Sequence, residues 1–221
     1  MTLAAASDGW LWWPWVRDHT DDIVAALREH VELTVVAVVA GLVVSLPLAV
    51  AAHRWRWLRG PTLVVAGILY TIPSLAAFAL LIPYTGLSRT TALLPLVTYT
   101  LFILVRAVLT GLDGVDRAVL DAADGMGYRR WRRLVRVELP LALPSIVAGL
   151  RLATVTTVGL VTVTSLITYG GLGQLIYEGF GRNFRTPVTV GVVLSVALAV
   201  VLDLLITGGA RVAMPWTRRR S

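Results

Sequence analysis

The chain of 221 residues contains no cysteine and no lysine. Without thiols, neither disulfides nor cysteine chemistry can contribute. Without lysine, there is no phosphate-binding loop of the Gly-x-x-x-x-Gly-Lys-Ser/Thr type. If ATP drives the protein, another subunit hydrolyses it, and no cofactor is expected on this chain. Charge is also sparse: 15% of residues carry it, and the three histidines, His19, His30 and His53, are too scattered for a metal site. No nucleophile paired with a base stands out, so a membrane enzyme lacks support. What remains is apolar. Hydrophobic residues make up 57% of the chain and the mean hydropathy is +0.76, values of a multi-spanning membrane protein with one compact domain.

Five apolar runs, at about 33–52, 62–82, 91–112, 145–169 and 188–207, are each close to the roughly 20 residues that cross ~30 Å of hydrocarbon. The expected fold is an all-α polytopic membrane protein with five transmembrane helices, multi-pass in the cell membrane. All 20 basic residues are arginine, and 15 of them fall in 51–61, 106–151 and 211–221. Those segments alternate with arginine-poor ones. By the positive-inside rule they are cytoplasmic, with the N-terminus outside and the C-terminus inside. The net charge of +7 therefore tracks topology and gives no reason to expect nucleic acid; the lipid bilayer is the partner it implies.

The start of the chain carries Trp10, Trp12, Trp13 and Trp15 with no basic n-region, so it reads as an interfacial anchor rather than a cleaved signal peptide. Asp21 to Glu32 reads as a short surface helix. The division expected is an external segment over 1–32, a transmembrane domain over 33–207 with a cytoplasmic loop at 113–144, and a basic tail over 208–221.

Inside that loop, Asp121 to Pro140 (DAADGMGYRRWRRLVRVELP) is a polar island too charged to cross a bilayer. Val115 to Asp124 predicts a short helix, Gly125 and Gly127 a turn, and Tyr128 to Leu139 a second amphipathic helix ended by Pro140. Small Ala122, Ala123, Gly125 and Gly127 let another surface come close. The stretch resembles the EAA loop of ABC-importer permeases through Asp121, Ala122, Ala123, Gly127, Val137, Leu139 and Pro140, with Asp121 in place of Glu and Val137 in place of Ile. The resemblance implies a coupling helix seated in a groove of a cytoplasmic ATPase subunit, with ATP and magnesium bound there.

The spans carry polar features of their own. Pro47 and Pro73 lie within the first two, where a kink frees backbone carbonyls. Thr154, Thr157, Thr164 and Thr168 share a face of the fourth, and with Pro73 and Ser74 they are the candidates for a substrate path. Bonding back to their own helix is the plainer reading of such hydroxyls. Arg151 and Asp203 are intramembrane charges that a structural ion pair or snorkelling to the headgroups explains without a proton relay. Gly41/Ser45, Gly149/Ala153 and Gly191/Ser195 are small-x-x-x-small pairs that permit close helix packing. Tyr169 to Phe180, with Gly170-Gly-Leu-Gly173, predicts either an external segment folding back into the pore mouth or a surface loop.

Thr71-Ile-Pro-Ser-Leu75, Thr110-Gly-Leu112, Glu138-Leu-Pro-Leu-Ala-Leu-Pro144, Ala148-Gly-Leu-Arg151 and Gly170-Gly-Leu-Gly173 resemble the short permeases of osmoprotectant importers. That resemblance implies a MetI-like permease fold and uptake of glycine betaine, choline, carnitine or proline-like solutes. It also implies a second permease copy or sister permease, two ATPase subunits and an external solute-binding protein. Methionine or another amino-acid-like solute is the alternative cargo. A membrane anchor without transport would not require the Ala-Ala-x-x-x-Gly knob.

Overall fold

The computed structural model describes residues 10–167 and 169–216. Among these residues every regular element is helical. The order is α1 (Trp13–Asp18), α2 (Thr20–Arg54), α3 (Arg56–Thr71), α4 (Ser74–Thr85), α5 (Arg89–Asp113), α6 (Arg117–Gly125) and α7 (Arg130–Arg133). A π turn (Leu134–Glu138) then leads into α8 (Leu139–Val163), a 3₁₀ turn (Thr164–Ile167), α9 (Leu172–Gly181) and α10 (Arg185–Ala213). Among the described residues, four helical runs are long and apolar enough to cross a membrane, five if the pair α3 and α4, bent at its break, counts as one span.

Three boundaries differ from those expected. The separate surface helix over Asp21 to Glu32 is instead the start of α2, which runs unbroken into the first span. Asp21 and Asp22 sit in its first turn and His53 and Arg54 in its last, each sign where the helix dipole favours it. The second span is not one rod. Pro73 lacks an N–H and disfavours helical backbone at Ile72, so α3 stops at Thr71 and α4 begins at Ser74. Pro140, by contrast, does not end its helix. The π turn ahead of it, with the Leu139 N–H bonded to Leu134 O, carries the helix past the proline from Arg130 to Ile167.

The chain divides into two compact units. The first comprises Met1–Val39, Ile72–Val97 and Thr154–Leu202. Leu33, Phe78, Leu96 and Val161 fill one core cluster; Leu172, Leu175 and Val190 centre a second. The segment expected to fold back or to form a surface loop holds the helix α9, and Gly171 ahead of it is explained by contact. Gly171 has φ +50°, and a Cβ there would sit 2.6 Å from His30 Cβ and 2.8 Å from Ala26 O. A Cβ on Gly191 would come 2.9 Å from Leu172 O, so the Gly191 pair does serve packing. Trp15 packs into the second cluster with its ring edge-on to Phe184 at 5.7 Å, whereas Trp10 and Trp13 stay exposed. The face of Trp10 is covered by the Arg185 guanidinium at 5.6 Å.

The second unit comprises Ala40–Thr71, Thr98–Ala153 and Asp203–Ser221. Ala49, Val105, Val108, Leu112, Leu134 and Ala142 are its buried centre. α5 and α8 meet through small residues: a Cβ on Gly149 would overlap Ala107, and one on Gly111 would lie 2.8 Å from Ala142 O. Ser145 Oγ donates across the same contact to Ala107 O at 3.0 Å. Arg151 grips Asp203 with both arms of its fork, Nε to Oδ1 at 2.6 Å and Nη2 to Oδ2 at 2.7 Å, so of the two structural readings of these charges the ion pair is the one observed.

Candidate functional site: the coupling knob

The knob begins with a capped helix. Asp116 accepts a hydrogen bond from the Ala118 N–H at 2.9 Å, satisfying one of the free donors at the start of α6. α6 ends in a reversal that depends on one residue. The Tyr128 N–H donates to Ala123 O at 3.1 Å and the Gly127 N–H to Asp124 O at 2.9 Å, with Gly127 at φ +78° between them. This pair of bonds around a left-handed residue is the Schellman ending, which favours glycine because a side chain there meets its own backbone. Gly125, expected to share the turning, is the last residue of α6 and has no positive φ.

The residues of the predicted motif then fall into two groups. Asp121, Ala122, Gly125 and Gly127 are exposed, and a Cβ on either glycine would meet nothing within 4 Å. Among the described residues, no neighbour requires Gly125 to be small. Met126 projects beside them, 68% exposed, giving the tip an apolar centre that its place between two glycines does not advertise in sequence. Ala123 is buried at 1% exposure, so its smallness serves the unit's own packing. Val137, Leu139 and Pro140 are half-buried in the helix that follows, with Leu139 against the core of the second unit. The motif thus divides into an outward face and the residues that hold it.

A chain of charged groups, none of them a candidate on sequence grounds, fixes that face. Arg133 pairs with Asp124 of α6 and donates through Nε to Glu138 Oε1 at 2.8 Å. The other oxygen of Glu138 lies 3.5 Å from His53 Nε2, and His53 Nδ1 lies 3.1 Å from Asp113 Oδ1, an acid that Arg59 also holds. Glu138 is 4% exposed. A buried carboxylate is costly unless partnered, and here its partners come from the knob and from α2. Glu138 opens the Glu-Leu-Pro stretch that resembles osmoprotectant permeases; the usable signal for its role is an acid set among arginines directly before an apolar run.

The candidate path residues are placed differently. Thr154, Thr157 and Thr164 are buried among packed side chains, and Thr164 Oγ1 donates to Val161 O of its own helix at 2.7 Å. Pro73 is exposed and Ser74 half-buried at the start of α4. Thr168 lies outside the described residues.

Helices of membrane-spanning length, a broken pair and a basic knob with an open small-residue tip are the features of an integral membrane protein with a polar docking element. The chain belongs to the family of binding-protein-dependent transport system inner membrane components, whose pattern matches residues 37–208. It is 34% identical to the glycine betaine/carnitine/choline transport system permease protein OpuCB of Bacillus subtilis, over 85% of this chain and 86% of that one. It is also 34% identical to the osmoprotectant import permease protein OsmW of Salmonella typhimurium, over 86% and 90%. The fold matches that of a chain in the inward-facing MetNI methionine ABC transporter, with a TM-score of 0.78 over 89% of this chain and 98% of that one, at 23% identity.

Proposed function

We propose that this permease carries osmoprotectants, small zwitterions or quaternary amines such as glycine betaine, choline or carnitine. The observation that carries this reading is likeness over most of the chain to relatives whose names state those solutes. Likeness to the methionine transporter, at 23% identity, speaks to the fold alone. In this reading the outward face of Asp121, Ala122, Gly125 and Gly127 docks in a groove of a cytoplasmic ATPase subunit, which binds ATP and magnesium. An external binding protein selects the solute, and two permease chains, identical or sister, enclose the path. Nucleotide-driven closure of the ATPase pair moves the knob, and the helices behind it open the path outward. Pro73 and Ser74, at the broken span, are the residues proposed to meet solute. Thr154, Thr157 and Thr164, which are buried, would join them only when the helices around them part, and Thr168 is a further candidate for the path.

Uptake of labelled glycine betaine, choline, carnitine, proline and methionine by a strain lacking other routes, supplied with the whole transporter, tests the cargo. Uptake of at least one of the first four is expected. Uptake of methionine alone would overturn the substrate class and leave the permease assignment standing.

A further inference from the structure

An open groove of about 1130 Å³ lies in the second unit between the end of α2 and the knob. Its apolar wall is Leu46, Pro47 and Val50. Arg54, Arg129 and Arg130 line it as well, all exposed and none in an ion pair among the described residues. Arg133 and Glu138 also border the groove, but their charges are satisfied by each other and by Asp124 and His53. The arginines in want of an anion are therefore the first three. Trp55 and Trp131, exposed at 54% and 72%, stand at the same site.

We propose that this groove binds one anionic phospholipid, with its phosphodiester on Arg54, Arg129 and Arg130 and an acyl chain along Leu46, Pro47 and Val50. Guanidinium forks match phosphate oxygens in geometry as well as charge. Exposed tryptophans favour the headgroup level of a bilayer, and a basic pocket beside membrane helices is the usual seat of an anionic headgroup. A soluble phosphate would use the arginines but leave the apolar wall unexplained. An acidic protein segment would use neither the wall nor its continuity with a membrane-spanning helix. A lipid uses both. Because the groove is bounded by the knob on one side, lipid occupancy links the charge of the surrounding leaflet to the element that meets the partner subunit.

The test is phospholipid retained by the purified whole transporter, extracted and quantified as phosphatidylglycerol and phosphatidylethanolamine per permease. Wild-type protein is expected to retain phosphatidylglycerol above its share in the source membrane. Each arginine near a membrane surface contributes enough for about a fivefold change in affinity, so Arg54→Gln, Arg129→Gln and Arg130→Gln together are expected to weaken it by about a hundredfold. Ala51→Trp, which fills the groove without changing charge, is expected to reduce retention too, and Arg182→Gln to leave it unchanged. A photoreactive residue at Pro47 is expected to label lipid. Retention that is equal in wild-type and triple variant overturns the proposal. So does labelling at Pro47 of a second permease chain or of the ATPase. Neither result touches the cargo, which the uptake assay reads separately.

Discussion

Arg133 Nε donates to Glu138 Oε1 at 2.8 Å across the π turn, so a knob residue is the partner of a carboxylate that the unit buries. Removing the arginine leaves Glu138 with His53 alone at 3.5 Å. Arg133→Met is expected to cost about 2 kcal/mol, below the usual 3–5 for a fully buried pair because the Arg133 side chain is 22% exposed. The midpoint of thermal unfolding in detergent should fall, and the double variant with Glu138→Leu should recover most of the loss. A double variant as damaged as the single one would mean the pair does not hold the knob.

Gly125 and Gly127 separate two reasons for a small residue. Gly127→Glu adds a left-handed non-glycine residue, a backbone cost of about 1–2 kcal/mol, to a charge on the proposed docking face. Gly125→Glu adds only the charge, since its Cβ meets nothing and its φ is ordinary. Both variants are expected to insert at normal abundance and to lose the ATPase on purification, along with uptake. A misfitted charge at an interface centre costs a few kcal/mol. Gly127→Asn, which tolerates left-handed backbone, should keep both. If Gly125→Glu retains the ATPase and transports, the exposed tip is not the docking face.

The bidentate pair of Arg151 and Asp203 joins α8 to α10 within the second unit. Either residue made neutral alone leaves the other as an unpaired charge in a membrane-spanning segment, so Arg151→Leu and Asp203→Leu should each lower the amount of protein in the membrane. Combining them should restore it. If Asp203→Leu accumulates normally but transport stops, the acid has a role beyond pairing.

The absence of native cysteine makes the orientation directly measurable. Leu87, Phe180 and Trp57 are 58%, 82% and 73% exposed, so single cysteines at these positions are accessible probes. On intact cells an impermeant maleimide is expected to label Leu87→Cys and Phe180→Cys and to spare Trp57→Cys until the membrane is opened. The reverse pattern would place the arginine-rich segments, and the knob with them, outside.

The residues that could be read from the sequence were those whose reason is local. Apolar runs announce spans, and Gly127 announces a reversal. Pro73 and Pro140 show where that reasoning fails. The same residue type separates α3 from α4 yet lies inside the continuous helix from Arg130 to Ile167, as Pro47 lies inside α2. Gly171 was legible as a glycine but not as a close contact of His30, since 141 positions separate them and only the packed chain brings them together. Glu138 belongs to a legible motif, yet its burial depends on His53, which lies 85 residues away and carries no pattern.

The π turn has a consequence for insertions and deletions. Each residue of an α-helix turns the chain by about 100°, whereas the widened turn at Leu134–Glu138 holds one residue more for nearly the same rotation between α7 and α8. Deleting one residue there would restore an ordinary helix and leave every side chain of the tip intact. Because the widened turn spends about one residue more than an α turn on nearly the same rotation, it would also keep Trp131 and the arginines beside it close to their present phase. The turn is thus a place where the chain can shorten by one with little change in the direction of the tip, whereas the same deletion inside α8 would rotate everything before it by about 100°.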